Sequence, residues 1–457
     1  MSLDLRHPLP GRRPLVAGAG RSGIAAARLL ARNGALVRIC DRRVADALPE
    51  AARALAAEGI DCAWGRDDSG LLDDRDFLVW SPGIPFEHPL AAAARARGIE
   101  VLGELELGFM AARAPLVCIT GTNGKSTTTD LTGALLRAAG REVEVCGNIG
   151  RAICEVAEHV SANGILVVEV SSFQLETVRR LKPWIATWLN LTPDHGDRHG
   201  TFAVYGEAKR RLFERQDEDD WAVLAFDEPE VMARRAGQGG LIGFSRRQAL
   251  DTGAFLEGGD LVLAWRGGRE RLLPRSEMRL PGPHNVANAL AALATLMPLE
   301  LPPDVLRGVL RTYGGLEHRL EPAGDVDGVR FVNDSKATNV GSMEVALQSF
   351  DRKIVLIAGG RDKVQDFSPL ADLVRASVAH LVLIGEGAPV LERAWTGVPA
   401  ERAGSLAEAV AAAHRAAGPG GVVLLSPGCS SFDMFRDYED RGRRFKDEVR
   451  RLAQGGG

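Results

Sequence analysis

The chain has 457 residues, 45% hydrophobic and 25% charged, a balance that suits a globular protein of several domains and excludes a disordered or fibrous one. Its 56 basic and 60 acidic residues leave a formal net charge of −4, which excludes the strongly basic surface of a general polyanion binder, so nucleic acid is not an expected partner. No apolar run reaches the ~18 residues of a membrane span, the N-terminal MSLDLRHPLPGRRP has no apolar signal core, and the six cysteines show no CxxC spacing; these features predict a cytoplasmic chain with free thiols and no membrane partner.

Short apolar runs alternate with Ala- and Leu-rich stretches along nearly the whole length, a rhythm that predicts βα units and largely parallel sheets. The fold class is α/β, in three domains spanning 1–113, 114–315 and 316–457. The first opens with a strand at Pro14–Ala17, then Gly18-Ala-Gly-Arg-Ser-Gly23, a helix, and a second strand ending at Asp41; a helix over EAARALAAEG and the strand FLVWSPGI follow. The second opens with the strand PLVCIT and continues through GTNGKSTTT and the helix LTGALLRAAG. Its later strands are EVEVCG, GILVVEVSS, WIATWLNLT and WAVLAF; a polar, Gly-rich stretch over 236–274 and two helices complete it. The third has the strands VRFVND, KIVLIAGG, HLVLIG and GVVLLSPG and ends in a basic helix. Tyr313-Gly314-Gly315 is the candidate pivot before it.

The most specific local signal is Gly121-Thr122-Asn123-Gly124-Lys125-Ser126-Thr127, between an apolar strand and a helix. Glycines let backbone amides curl around phosphate oxygens, the helix N-terminus favours negative charge, Lys125 adds a point charge, and the Ser126 hydroxyl can ligate Mg²⁺. Ile119 stands where the common GxxxxGK[ST] pattern has its first glycine. The loop implies a nucleoside triphosphate, and a GTPase or motor ATPase would share it. Glu169 closes the apolar run GILVVEV, where a Mg²⁺ ligand belongs. His195 lies among short polar residues after a strand and is a candidate for a second Mg²⁺ or for the reacting carboxylate. Asn148, bracketed by Gly147 and Gly150, is either a turn residue or an amide presented to phosphates. Lys209, among other basic residues of a helix, reads on its own as part of a solvated cationic face.

TGTNGKST, GNIG, VEVSSFQLE, NLTPDHGDRHG, the HNVANALAA run and NDSKATN occur in that order. Together they resemble the Mur ligase family, the ATP-dependent amino-acid ligases of peptidoglycan precursor synthesis, over nearly the whole chain. GAGRSG with Asp41-Arg42-Arg43, Ser81-Pro82-Gly83-Ile84 and SPGCSSFDMFRDYEDRGRRF look most like the branch that adds glutamate to a UDP-muramoyl-alanine. The resemblance implies a Rossmann-like N-terminal domain, a central P-loop ATPase-type domain and a Rossmann-like C-terminal domain. It implies ATP, UDP-N-acetylmuramoyl-L-alanine and D-glutamate as substrates, Mg²⁺ as cofactor, and an acyl-phosphate route; monomer is the default expectation. By the same resemblance, Gly121 to Thr127 bind ATP phosphates, Asn285 and Asn288 approach the nucleotide, and Arg319 and Asp334 contact ATP. Ser126, Glu169 and His195 hold metal, and Lys209 is the family lysine that becomes a carbamate and metal ligand. Ser22, Asp41, Arg43, Ser81, Gly83, Asn148, Ser171 and Gln174 lie along the UDP-substrate. Lys336, Thr338, Lys363, Ser431 and Tyr438 hold glutamate, with Arg361 the neighbouring alternative to Lys363 and Tyr438 standing where the family has Phe. D- over L-glutamate rests on the resemblance alone.

Gly18-x-Gly20-x-x-Gly23 with Asp41 is also a dinucleotide fingerprint, so an NAD-linked dehydrogenase is the rival from another class. A UDP group presents the same diphosphate, and the second phosphate loop favours the ligase. A folylpolyglutamate-type ligase would share the ATP domain without a UDP-binding front.

Overall fold

The computed structural model describes residues 9–280, 282–362 and 365–455. They carry three sheets in two compact units, Met1–Tyr313 and Gly314–Gly457, and the division falls at the turn expected to be the pivot. In the first unit, β1 (Pro14–Ala17), β2 (Arg38–Asp41), β3 (Asp61–Trp64), β4 (Phe77–Trp80) and β5 (Glu100–Gly103) form an all-parallel sheet in the order 3-2-1-4-5. Strand order reverses at β1, and in such sheets ligands bind beyond the carboxyl ends of the strands at that switch.

The same unit contains a nine-stranded sheet of β6 (Leu116–Thr120), β7 (Val143–Gly147), β8 (Ile165–Glu169), β9 (Ile185–Trp188), β10 (Trp221–Ala225), β11 (Gly240–Ser245), β12 (Gly253–Glu257), β13 (Asp260–Trp265) and β14 (Gly268–Pro274). Its order is 14-13-12-11-10-9-6-8-7, so β6 sits at a second switch, between β9 and β8. β6, β8 and β9 are buried at every residue, as strands covered on both faces by helices must be. One cover is the helix Pro283–Leu296, buried almost all round because it lies between the sheet and the helix Lys125–Ala138.

The Gly-rich stretch, in which only short β-like pieces such as LVLAW are expected, forms four strands, the last three joined by antiparallel hairpins. Both hairpins turn on two residues with positive φ, Gly258-Gly259 at 59° and 93° and Arg266-Gly267 at 50° and 79°, the geometry whose twist matches paired strands. The helix expected over EAARALAAEG is shorter, a single turn at Glu50–Arg53 running into a tighter one at Ala54–Ala56.

The second unit has its own sheet of β15 (Glu321–Val326), β16 (Val329–Asn333), β17 (Ile354–Gly359), β18 (Val378–Ile384), β19 (Ala400–Arg402) and β20 (Val422–Gly428), in the order 15-16-20-17-18-19. The edge strands β15 and β19 were not expected. The Asp327-Gly328 turn, with φ of 49° and 78°, is the hairpin signal that marks β15. All six cysteines are free; five are buried and Cys62 is half-buried.

Glu106, fully buried in the helix Glu104–Ala111 that follows the first sheet, accepts the backbone N–H groups of Arg179, Arg180 and Leu181 at 3.1, 2.5 and 3.0 Å. It thereby fastens that helix to the chain entering β9. Glu106→Ala would strand three amides, so urea unfolding should show a loss of at least ~2 kcal/mol; a change below ~0.5 kcal/mol would mean that the amides find other partners.

Candidate active site

A cavity of about 670 Å³ opens at the β1 switch, walled by Gly18, Gly20, Ser22, Asp41, Arg43, Ser81, Gly83 and Asn148 among others. It therefore gathers the expected UDP-substrate residues except Ser171 and Gln174. A Cβ on Gly23 would lie 1.8 Å from the Gly18 carbonyl oxygen, so the third glycine is needed for the helix Arg21–Arg32 to start against β1. One on Gly20 would meet nothing within 4 Å, which leaves that backbone open to a ligand.

Asp41 is saturated from within. Its Oδ2 accepts from Ala19 N at 2.8 Å and Arg43 Nη2 at 2.8 Å, and its Oδ1 from Arg43 N and Nε, both at 2.9 Å. Burial by itself would raise this carboxyl, but those hydrogen bonds and the Arg43 charge prevail and hold its pKa at about 2. A dinucleotide site needs this acid for ribose hydroxyls; here both oxygens are committed to the turn that carries Arg43.

The phosphate loop is shaped chiefly by Asn190, just beyond β9. Its Oδ1 accepts from Thr122 N at 3.0 Å and Asn123 N at 2.8 Å, and its Nδ2 donates to Asn123 O at 3.1 Å. The Thr122 hydroxyl is held by Tyr205 Oη at 3.2 Å, Thr192 N at 3.1 Å and Thr192 O at 3.2 Å. Gly124 has φ +83° and begins the helix Lys125–Ala138; a Cβ there would lie 2.3 Å from Asn288 Oδ1, so Asn288 does reach the loop. Asn285 accepts from Asn288 Nδ2 at 3.2 Å. Lys125 curls over the loop, donating to the Gly121 and Thr122 carbonyls, both at 2.8 Å.

β8 pairs with β6 so that Glu169 lies opposite Ile119, one strand from the loop. Glu169 is 1% exposed; Oε1 accepts from Asn148 Nδ2 at 2.7 Å, and Oε2 is buried with no hydrogen-bond partner. Asn148 is thus an amide aimed at the acid, not only a turn residue. Arg21 Nη2 reaches its carbonyl at 3.3 Å, joining the two switch points. Ser171 and Gln174 form a capping box at the start of the turn Ser172–Leu175, with Ser171 N and Oγ donating to Gln174 Oε1 at 2.9 and 3.0 Å. His195 has left-handed backbone, φ +51°, which a side chain rarely adopts, and its ring meets Phe173 edge-on at 4.7 Å.

Lys209 overturns the solvated-face reading. It is 1% exposed, and its Nζ donates to Gly121 O at 2.9 Å and stands 4.7 Å over the Tyr205 ring. The inward face of the helix Phe202–Arg210 carries Tyr205 and Lys209 four residues apart, which places both beside the loop. Burial first, and then the Lys125 charge, push this ammonium well below the ordinary lysine range; Asp194 and Glu169 oppose them.

In the second unit, Asp334 is buried, accepting from Ser426 Oγ at 2.9 Å and Leu320 N at 3.2 Å, and burial raises its pKa to about 7 against the pull of Ser426 and Arg319. Lys336 lies 5.3 Å over the Tyr438 ring, and Ser431 is buried. Lys363 lies outside the described residues. Sequence reasoning gave no role to Arg441, which is 0% exposed and donates to Ser335 Oγ and O at 2.9 and 2.8 Å and to Cys429 O at 3.2 Å. It ties the NDSKATN turn to the loop carrying Ser431. Asn190, Tyr205, Glu176, Arg198 and His199 were likewise given no role; all but Tyr205 lie inside quoted motif runs, the one signal that pointed to them.

Among the described residues no three His, Cys, Asp or Glu side chains gather as a ready metal site. The unpaired Glu169 oxygen beside a serine-bearing phosphate loop nevertheless fits a hard cation that completes its shell with phosphate and water, as Mg²⁺ does.

Two nucleotide-type sites at sheet switch points, the second with a triphosphate loop, mark a multidomain nucleotide-using α/β protein. Family descriptions match three stretches: the Mur ligase MurD-like N-terminal domain over 12–103, the Mur ligase middle domain over 119–296, and the Mur ligase glutamate ligase domain over 318–429. The UDP-N-acetylmuramoylalanine–D-glutamate ligase of Pelobacter propionicus is 44% identical over 447 residues, spanning 97% of this chain and 100% of its own. The protein of that name from Geobacter metallireducens is 44% identical over 98% of this chain and 99% of its own. Among solved structures, the UDP-N-acetylmuramate–alanine ligase of Thermotoga maritima shares the fold with a TM-score of 0.61 at 18% identity, covering 96% of this chain and 99% of its own. A pseudomurein peptide ligase of Methanothermus fervidus also gives 0.61, at 17% identity and 97% and 100% coverage. The chain belongs to the Mur ligase family.

Because the Asp41 carboxyl is held at about 2, below its usual 3.8, its charge contributes stability above the unfolded value that is lost as pH falls through the folded one. Asp41→Asn should be destabilised at neutral pH, and the charge-dependent part of its deficit should shrink between about pH 4 and 2. Urea unfolding across that range checks this, and a gap that widened on acidification would contradict it.

Proposed function

We infer that this chain joins D-glutamate to UDP-N-acetylmuramoyl-L-alanine, using ATP, in peptidoglycan precursor synthesis. The observation that carries the reading is end-to-end similarity, at 44% identity, to ligases named for that reaction. The structural support is one cavity suited to a UDP group next to a triphosphate loop, within one compact unit.

In this reading the alanyl carboxylate attacks the γ-phosphorus of ATP, ADP departs, and an acyl phosphate forms. The glutamate amine then attacks the acyl carbon and phosphate leaves. Two anions must meet in the first step, so positive charge and oriented amides are the main requirement. The 121–127 amides and Lys125 hold the phosphates, and Asn285 and Asn288 abut the nucleotide. Ser22, Arg43, Ser81 and Gly83 hold the UDP group, with Asp41 fixing Arg43. Asn148, Ser171 and Gln174 lie along the muramoyl arm. Ser126 and Glu169 would hold Mg²⁺, and His195 and carbamylated Lys209 a second ion; bound there, the metal neutralises phosphate charge. A neutral Lys209 amine can add CO₂ and release a proton, and its burial favours that form. In the second unit, Arg319 and Asp334 serve ATP, and Lys336, Thr338, Lys363, Ser431 and Tyr438 serve glutamate. Domains at 1–113, 114–315 and 316–457, a pivot at Tyr313-Gly314-Gly315, a monomer and a cytoplasmic location complete the proposal. No helix among the described residues is long and apolar enough to cross a membrane.

ADP release should require the muramoyl-alanine nucleotide and rise with D-glutamate. Equal release with and without the amino acid would remove the ligase reading. Lys125→Ala should lower kcat at least ~100-fold, as loss of a charge from phosphoryl transfer does; near-normal turnover would refute the placement of ATP.

A further inference from the structure

We propose that Arg198 is a positioning residue that locks the rim of the nucleotide cavity to the turn carrying His195, so that the UDP group and the reacting centre keep one register. The inference rests on the proposed function for its meaning, but the clasp stands on geometry alone. Arg198 lies on the single turn Gly196–His199, three residues after His195. Its Nε and Nη2 grip Glu176 at 3.0 and 2.6 Å, a two-pronged pair whose side chains are only 10% and 14% exposed. Nη2 also donates to the Ile84 carbonyl at 3.0 Å. That carbonyl accepts Trp80 Nε1 at 3.0 Å as well, and the Ile84 side chain packs over Gly18, where a Cβ would lie 3.1 Å from its Cδ1.

One guanidinium thus joins three segments: the 81–85 loop of the cavity, the 171–176 turn that follows Glu169, and the His195 turn. Its Cζ lies 5.0 Å from the centre of the Phe173 ring, which also meets the His195 and His199 rings. His199 Nε2 meets Ser172 Oγ at 3.0 Å and strengthens the same junction. A buried ion pair adds little net stability, so its planar fork is better understood as fixing geometry. Lysine's three N–H donors radiate from one nitrogen and do not match the planar fork that meets both carboxylate oxygens and the carbonyl together.

Arg198→Ala, Arg198→Lys and Glu176→Gln in the full chain test this. Both arginine variants should raise KM for the muramoyl nucleotide, weaken UDP binding in calorimetry and lower kcat, each by about tenfold, the scale of one lost charged hydrogen bond. KM for ATP should stay unchanged, and Glu176→Gln should show a weaker form of the same pattern. Hydrogen exchange on the ligand-free protein should quicken over 81–85 and 194–200 but not over 116–138. Wild-type kinetics in Arg198→Lys, losses confined to ATP, or unchanged exchange at 81–85 would each overturn the proposal. If Arg198→Ala fails to fold, Arg198→Lys decides. If the wild type neither ligates nor binds UDP, the proposed function fails, and the exchange experiment still decides the clasp.

Discussion

The carbonyl oxygen of Gly121 accepts two lysine side chains, Lys125 from within the phosphate loop and Lys209 from the helix Phe202–Arg210, far along the chain. Two full positive charges cannot share one small, dry site without cost, and burial penalises the deeper one. The neutral form of Lys209 is therefore favoured. The rest of the site depends on this convergence. It sets the distance from the helix Phe202–Arg210 to β6 and places Tyr205 on Thr122.

How much of this was legible in the residues varied with how local the cause was. The loop itself was legible, because an apolar strand running into GTNGKST describes backbone curvature and charge locally. Parallel strands were legible as continuous apolar runs. The three-stranded antiparallel edge of the central sheet was not, since its exposed strand GRERLLP is polar and one of its turns, Arg266-Gly267, carries a residue seldom seen with positive φ. Lys209 could not be placed from periodicity. Its basic neighbours point to solvent, while it points inward because Tyr205, one turn earlier, defines the buried face. Asn190 and Arg441 act across long sequence separations, on main-chain groups that have no sequence signature.

A recurring device is the charged side chain that holds backbone. Glu106 gathers three amides, Arg441 makes five hydrogen bonds to two loops, Arg198 holds a carbonyl and a carboxylate, and Asp41 the turn at Ala19 and Arg43. Each ties together two segments that are separate in the chain. Hydrophobic packing fills the space beneath but is non-directional; hydrogen bonds donated by a planar guanidinium or accepted by a carboxylate fix angles as well as distances. This accounts for so many buried charges in a chain whose overall charge is nearly balanced.

The central claim is that the loop at Gly121–Thr127 delivers a phosphoryl group to a carboxylate. The most direct measurement uses UDP-N-acetylmuramoyl-L-alanine labelled with ¹⁸O in its alanyl carboxylate, turned over with ATP and D-glutamate, followed by mass analysis of the released phosphate. The account predicts one labelled oxygen per phosphate, carried over when the acyl phosphate breaks. Phosphate free of label, with amide still forming, would contradict it.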